Sequence, residues 1–104
     1  MARTIKHPVV ATMSKTVGEK LFLVLHARPE SGPLANIVGE DIDTQVGRSF
    51  TMELSRKDAL AMHSAALHDI QRGADSILGH KAYGVIGKAF RDAYDARLLA
   101  MSAR

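Results

Sequence analysis

The sequence predicts a single α+β domain, with a small antiparallel sheet of three to four strands followed by two C-terminal helices packed on one sheet face. Three observations predict this class. Residues 9–17 alternate between apolar and polar side chains, residues 49–54 do the same, and apolar residues recur at spacings of three and four from residue 55 onward. The 104 residues are the length of one domain, and the 46% of apolar residues are enough for a packed core.

The first two strands are predicted to form a hairpin. In residues 9–17 the apolar side chains occupy alternate positions and share one face, as side chains do on a pleated strand. Gly18–Glu19 then interrupts the alternation, and glycine at the first central position suits a two-residue hairpin turn. The second strand follows in residues 20–27, which read KLFLVLHA.

This predicted second strand is apolar on both faces, which is typical of a strand that is covered on both sides. If the domain leaves the second face bare, a partner chain has to cover it, and burying one large apolar side chain contributes about 1.5–3 kcal/mol. We therefore predict a partner or oligomer interface on this face and at one helical histidine, formed by Phe22, Val24, His26 and His63.

Residues 28–47 are the least regular part of the chain, because prolines and glycines punctuate them, and we predict a short strand or turn near residues 35–38. A further strand is predicted over residues 49–55. Ser55 then stands where a helix N-cap belongs, and Asp58 three residues later is suited to a capping box.

Two helices are predicted after this cap. The first carries an apolar stripe that includes Leu60 and His63, and it is expected to end at Gly79, the residue type that favours a helix C-terminus. A break at Gly73 is the alternative, because glycine costs about 1 kcal/mol relative to alanine inside a helix. The second is predicted from Gly87 onward. Because His63 belongs to the stripe, it is expected to be a core or interface residue.

The predicted organisation is a basic N-terminal arm in residues 1–8, a mainly β part in residues 9–54 and two helices in residues 55–101. The net charge is +3, and the excess of basic residues lies near the start, where Arg3 and Lys6 belong to the arm. A basic arm of this kind can hold nucleic-acid phosphates.

No set of residues meets the requirements of a catalytic, cofactor or metal site, so we predict that the protein is not an enzyme and needs no cofactor. The absence of cysteine excludes thiolate catalysis and cysteine-ligated metals. His63 and His68 lie five positions apart, which turns them about 140° away from each other on a helix, whereas a helical metal pair needs a spacing of three or four.

The longest strongly apolar run, residues 21–25, is far shorter than the roughly 20 residues of a membrane span. The apolar run near the N-terminus is also too short for the core of a secretory signal. We therefore predict a cytoplasmic protein that does not engage a membrane.

The segment that begins at Arg48 resembles ribbon–helix–helix regulators at the level of the fold, with a strand, a helix, a turn and a second helix. The resemblance implies that two such strands pair across a dimer and enter the major groove, where outward side chains read bases. Those side chains would be Arg48, Ser49, Thr51 and Glu53. Arginine, serine and threonine suit this role, whereas phosphates repel the carboxylate of Glu53 unless it accepts from a cytosine amine.

Two functions follow from these observations. The favoured one is a non-catalytic interaction protein, a small accessory domain of the phage or plasmid type that binds a partner protein, as a homo-oligomer. The less favoured alternative is a DNA-binding regulator of the ribbon–helix–helix kind, with nucleic-acid contacts from Arg3, Lys6, Arg48, Ser49 and Thr51.

Overall fold

The computed structural model describes residues 5, 7–73 and 77–102. The fold consists of an antiparallel ribbon of two strands and of the helices that follow each strand, two α-helices after each. In chain order the elements are β1 (Val9–Ser14), α1 (Lys15–His26), a short 3₁₀ turn (Pro29–Ser31), α2 (Gly32–Thr44), β2 (Ser49–Leu54), α3 (Arg56–Gln71) and α4 (Ile77–Ser102).

The domain is α+β, but the predicted sheet of three to four strands is wrong. Within the described residues the sheet has two strands, and the chain forms four α-helices, two of which precede β2. The mainly β part predicted for residues 9–54 is wrong for the same reason, because α1 and α2 lie there. The helices α3 and α4 occupy the segment that the sequence periodicity assigns to two helices.

Residues 15–26 form a helix because their buried side chains follow a helical period. The hydroxyl of Ser14 caps this helix by accepting a hydrogen bond from the backbone N–H of Val17 at 3.2 Å. Leu23 is 61% exposed, and this solvent-facing leucine makes the stretch resemble a strand that is apolar on both faces. The buried positions are spaced by one, three and four residues: Val17, Gly18, Leu21, Val24 and Leu25.

Residues 35–38 lie in α2, so the short strand or turn predicted there is also wrong. Pro33 stands in the first turn, where the missing N–H of proline has no intrahelical partner to lose. Leu34, Ala35 and Val38 bury one side of the helix at helical spacing. Gly32 and Pro33 therefore stand at the start of a helix, and Gly39 lies inside it, instead of breaking the chain into loops.

The prediction of Ser55 as the N-cap of α3 is confirmed, since its hydroxyl accepts from the backbone N–H of Asp58 at 3.1 Å. The predicted apolar stripe is rotated from the observed one. Leu60 is exposed, whereas Met62 and three alanines form the buried side of α3. Alanine is only weakly hydrophobic, so the sequence pattern places the more hydrophobic Leu60 on the predicted buried face in place of the alanines.

The helix α3 ends near Gly73, the alternative end that the sequence offers, and not at Gly79. Gln71 is the last residue of α3, and Gly73 has a φ of 85°, a left-handed conformation that glycine adopts without strain. Gly79 is buried inside α4, so the helix end predicted at this residue is wrong.

The inner face of the ribbon is one wall of the hydrophobic core. A two-stranded ribbon is marginally stable by itself, so the helices have to supply the apolar contacts that hold it. The buried strand residues are Val9, Ala11, Met13, Phe50, Met52 and Leu54, and large buried helix residues in the same core are Leu21, Leu25, Val38, Met62 and Ile86.

The two halves of the chain share one architecture, although their sequences differ at almost every position. A constant shift of 41 positions relates the buried residues of β1 and α1 to those of β2 and α3, except that the buried Val17 corresponds to the half-buried Asp58. When residues 9–26 are set against residues 50–67 in this way, Ser14 and Ser55 are the only identical pair. The halves therefore share a burial pattern and a helix cap but little sequence.

The strand register shows that the halves are related by a local two-fold axis. Ala11 pairs with Met52, its own equivalent in the other half. Val9 pairs with Leu54, and their equivalents Phe50 and Met13 pair with each other. A pairing that is unchanged when the halves are exchanged requires a two-fold axis, which passes between Ala11 and Met52.

The symmetry breaks at the second helix of each half. The helices α2 and α4 correspond with a shift of 44 positions, so that the buried Val38 corresponds to the buried Ala82. On this correspondence the last residue of α2, Thr44, matches Lys88, but α4 continues. We call residues 89–102 the α4 extension.

Gly18 allows α1 to approach β2 closely. A Cβ atom at this position would lie 2.3 Å from Cε1 of the buried Phe50. The substitution Gly18→Ala is therefore expected to lower the free energy of unfolding by about 1–3 kcal/mol through overpacking. Urea denaturation of the wild type and the variant measures this difference.

Gly84→Ala is the matched control, because among the described residues no atom outside the adjacent backbone of α4 lies within 4 Å of the position that its Cβ would take. This variant is expected to be more stable than the wild type by about 0.5–1 kcal/mol, since alanine is the better helix former. A Gly18→Ala protein as stable as the wild type would contradict the close contact between α1 and Phe50.

Candidate nucleic-acid interface

The helices that the structure describes leave the outer face of the ribbon uncovered. Along both strands the residues that alternate with the core point to this side and are exposed or half-buried. We call this surface the outer ribbon face, and its residues are Val10, Thr12, Ser14, Ser49, Thr51 and Glu53. It presents hydroxyls, one carboxylate and one valine on a continuous pleated surface.

The centre of the outer ribbon face is held by hydrogen bonds. The hydroxyls of Thr12 and Thr51 lie 2.8 Å apart across the two strands. The side-chain amide of Gln45 donates to the carbonyl of Thr51 at 2.7 Å and accepts from its N–H at 2.9 Å. Because Gln45 satisfies both backbone groups of Thr51 at the sheet edge, the ribbon needs no third strand there.

Basic residues flank the outer ribbon face at both ends. At one end the backbone N–H of Lys15 donates to the carbonyl of Arg48 at 2.9 Å, and the Arg48 side chain is exposed. At the other end Arg56 and Lys57 are exposed in the first turn of α3. Each end therefore combines lysine or arginine with the partial positive charge of a helix N-terminus.

A groove opens beside the end of the ribbon that carries Arg56. It lies between the start of β1 and the α4 extension, and Phe90 and Tyr94 form part of its apolar lining. None of its described lining residues is acidic. We call it the α4 groove, and its basic lining residues, all exposed, are His7, Arg56, Arg91 and Arg97.

The structure brings together the residues predicted for nucleic acid from the middle of the chain. Ser49 and Thr51 lie on the outer ribbon face, and Arg48 directly precedes them at the end of the ribbon. Arg3 and Lys6 lie outside the described residues. The residues predicted from the sequence therefore lie on β2 and at the end of the ribbon where β2 begins.

Sequence reasoning missed the other strand of the same surface. The alternation of residues 9–14 indicates a strand, and its polar positions include Thr12 and Ser14. The sequence predicts that residues 9–17 pair with residues 20–27, and this predicted hairpin separates Thr12 and Ser14 from Thr51, whereas the structure pairs β1 with β2. The signal that relates β1 to β2 is the burial pattern that the two halves share. The two halves have almost no sequence identity, so this relation is hard to recognise from the sequence.

The residues predicted for a partner or oligomer interface do not share one exposed surface. Val24 is 6% exposed and belongs to the core, because α1 is a helix with Val24 on its inner side. Phe22 is half-buried and stacks on the exposed His26, with ring centroids 5.6 Å apart. His63 lies on α3, where its ring stacks on Tyr83 of α4 with centroids 4.3 Å apart.

Among the described residues, no group of three or more histidine, cysteine, aspartate or glutamate side chains is placed to hold a metal ion. No helix in the described ranges combines the length and the apolar content needed to cross a membrane.

Comparisons of the chain with protein-family models, with curated proteins and with solved structures find no match. The geometry of the outer ribbon face and the α4 groove is therefore the basis for assigning a function.

His63 provides a test of the packing between α3 and α4. Its ring is half-buried between Tyr83 and Phe90, and the ring centroids of His63 and Phe90 lie 5.9 Å apart in a T-shaped arrangement. This burial lowers the pKa of His63 from its ordinary value of 6.5. The unfolded chain therefore binds the proton more readily than the folded protein. We expect the free energy of unfolding to fall as the pH is lowered from about 7 to below 6.5, the ordinary pKa of the unfolded histidine.

The variant His63→Phe keeps an aromatic ring beside Tyr83 but cannot titrate. It is expected to lose less stability than the wild type over the same pH interval, as measured by urea denaturation at each pH. If the wild type and the variant lost equal stability on acidification, His63 would not be the group that senses the pH.

Proposed function

We propose that this chain is a non-catalytic DNA-binding module that inserts its outer ribbon face into the major groove. The observation that carries the proposal is the two-fold register of β1 and β2 beneath an exposed polar face. In ribbon–helix–helix regulators two chains supply such a ribbon, each with one strand followed by helices. Here one chain supplies both halves.

The shape and the hydrogen-bonding groups of the outer ribbon face support this proposal. The major groove of B-DNA admits a two-stranded ribbon, and its base edges offer donors, acceptors and thymine methyl groups. The hydroxyls of Thr12 and Thr51 can both donate and accept hydrogen bonds, so they suit base edges of either kind. The Glu53 carboxylate accepts only, which suits the amine of cytosine.

The charges at the ends of the ribbon support the proposal as well. Phosphate contacts position a protein on the duplex, while contacts to base edges give specificity. With the ribbon in the groove, the phosphate backbones pass its two ends, where Arg48 and the pair Arg56 and Lys57 are exposed. These cations also offset the repulsion between Glu53 and the phosphates.

The DNA-binding proposal predicts that the wild type binds a random duplex pool at low salt and that its affinity falls steeply between about 50 and about 200 mM salt. Thr51→Asp is expected to weaken binding at least about tenfold, because it places a carboxylate in the groove, and Arg48→Ala is expected to reduce the salt slope by about one. Fluorescence anisotropy with labelled duplexes measures both effects.

Ser64→Asp and Lys81→Ala are the matched controls. They make the same changes of charge at exposed positions of α3 and α4, away from the outer ribbon face. Both controls are expected to bind DNA as the wild type does. Equal losses in the ribbon variants and in the controls would show that the ribbon is not the binding surface.

Self-association is a second candidate, and the α4 extension favours it. Leu98 is 44% exposed and Leu99 is 72% exposed, and they neighbour the exposed Tyr94 and Met101. Isolated apolar residues on a surface are ordinary, but several on one projecting helix end mark an interaction site. A second copy of the chain brings the same apolar segment and can cover it.

The self-association proposal predicts a concentration-dependent dimer in sedimentation velocity at tens of micromolar protein. The double variant Leu98→Gln and Leu99→Gln is expected to remain monomeric, because it replaces two exposed leucines of the α4 extension without touching the core. Leu23→Gln is the matched control, since Leu23 is 61% exposed, between Leu98 and Leu99, but lies on α1. A wild type that is monomeric throughout this range would exclude the second candidate.

A further inference from the structure

We infer that the DNA site of this protein is asymmetric and is bound by a single chain. This inference rests on the proposed DNA-binding function and specifies its target. A dimer of identical chains presents the same side chains to both half-sites and so favours a palindrome. The local two-fold axis of this chain relates halves that carry different side chains.

The difference lies on the outer ribbon face itself. Exchange of the halves would place Thr51 at the position of Val10 and Thr12 at the position of Glu53. On one side of the axis, Val10 and Glu53 form a cross-strand pair of an apolar side chain and a carboxylate. On the other side, Thr12 and Thr51 form a pair of hydroxyls joined at 2.8 Å.

These two pairs suit different base pairs. A valine beside a carboxylate fits an apolar thymine methyl next to a cytosine amine, and it offers no hydrogen-bond donor. Two hydroxyls offer both donors and acceptors, so they accommodate a wider set of base edges. The two halves of the bound site are therefore expected to differ in sequence.

The α4 groove is a second difference between the two ends of the ribbon. It lies at the ribbon end that carries the Val10–Glu53 pair and adds Arg91 and Arg97 of the α4 extension to the cations around Arg56. The equivalent helix α2 ends at Thr44, so the described residues form no matching extension at the other end. We therefore assign the α4 groove to the phosphate backbone flanking that half-site.

The test starts with selection of binding sites from a random duplex library by the wild-type protein. The expected result is a non-palindromic consensus, with one chain bound per duplex in native mass spectrometry. Hydroxyl-radical footprinting of the selected site is expected to show backbone protection that reaches further on one side. Arg91→Ala with Arg97→Ala should shorten that side only and reduce the salt slope by about two.

A variant that equalises the halves tests the readout directly. Val10→Thr with Glu53→Thr gives both sides of the axis the same pair of threonines, at positions that are exposed in the wild type. Selection with this variant is expected to recover sites closer to a palindrome. Its thermal unfolding should match that of the wild type, because neither side chain belongs to the core.

The outcomes separate this inference from the proposed function. Failure of the wild type to bind duplex DNA at low salt would overturn both. Binding that yields a palindromic consensus, two chains per duplex, no base preference or a symmetric footprint would overturn the asymmetric site and leave DNA binding in place. An unchanged consensus for the equalised variant would also overturn the inference.

Discussion

The antiparallel pairing of β1 with β2 is the interaction on which the rest of the structure depends. The two strands are separated in the chain by two helices, so their pairing closes a long loop and sets the arrangement of both halves. Its register places every buried strand residue on one side, where the helices cover it. A shift by one residue would turn this apolar set to solvent, and burial therefore specifies the register strongly.

The ribbon divides structural and functional roles between its two faces. The inner face contributes apolar residues to the core, so substitutions there affect stability. The outer face is free of that constraint and can carry groups suited to a ligand, while Gln45 satisfies the backbone at one edge and limits sheet extension. This division explains how two halves with almost no identical residues keep one architecture: the pattern of burial is retained, and the exposed side chains differ.

Prediction from the sequence succeeded where a local signal was complete. The strand at residues 49–54 and the cap at Ser55 have a regular alternation and a side chain that marks the change of period. The same signals exist at Ser14, but Thr16 and Val17 happen to continue the alternation past the true end of β1. The exposed Leu23 adds an apolar residue on the outer side of α1, so the helical spacing of its buried residues is not apparent and the sequence of α1 resembles a strand. The candidate site was incomplete as a result, since half of the outer ribbon face lies on β1.

The sequence by itself determined local features: the β2 strand, the serine cap after it, the absence of cysteine chemistry and the polar alternate positions of both strands. Only the tertiary structure decided which strand pairs with β1, that the two halves are related by a two-fold axis, and that the α4 extension lies beside one end of the ribbon. The physical reason is that alternation specifies which side chains share a face but does not identify the partner strand. That choice depends on contacts between residues far apart in the chain, and most of the residues that make them are simply apolar.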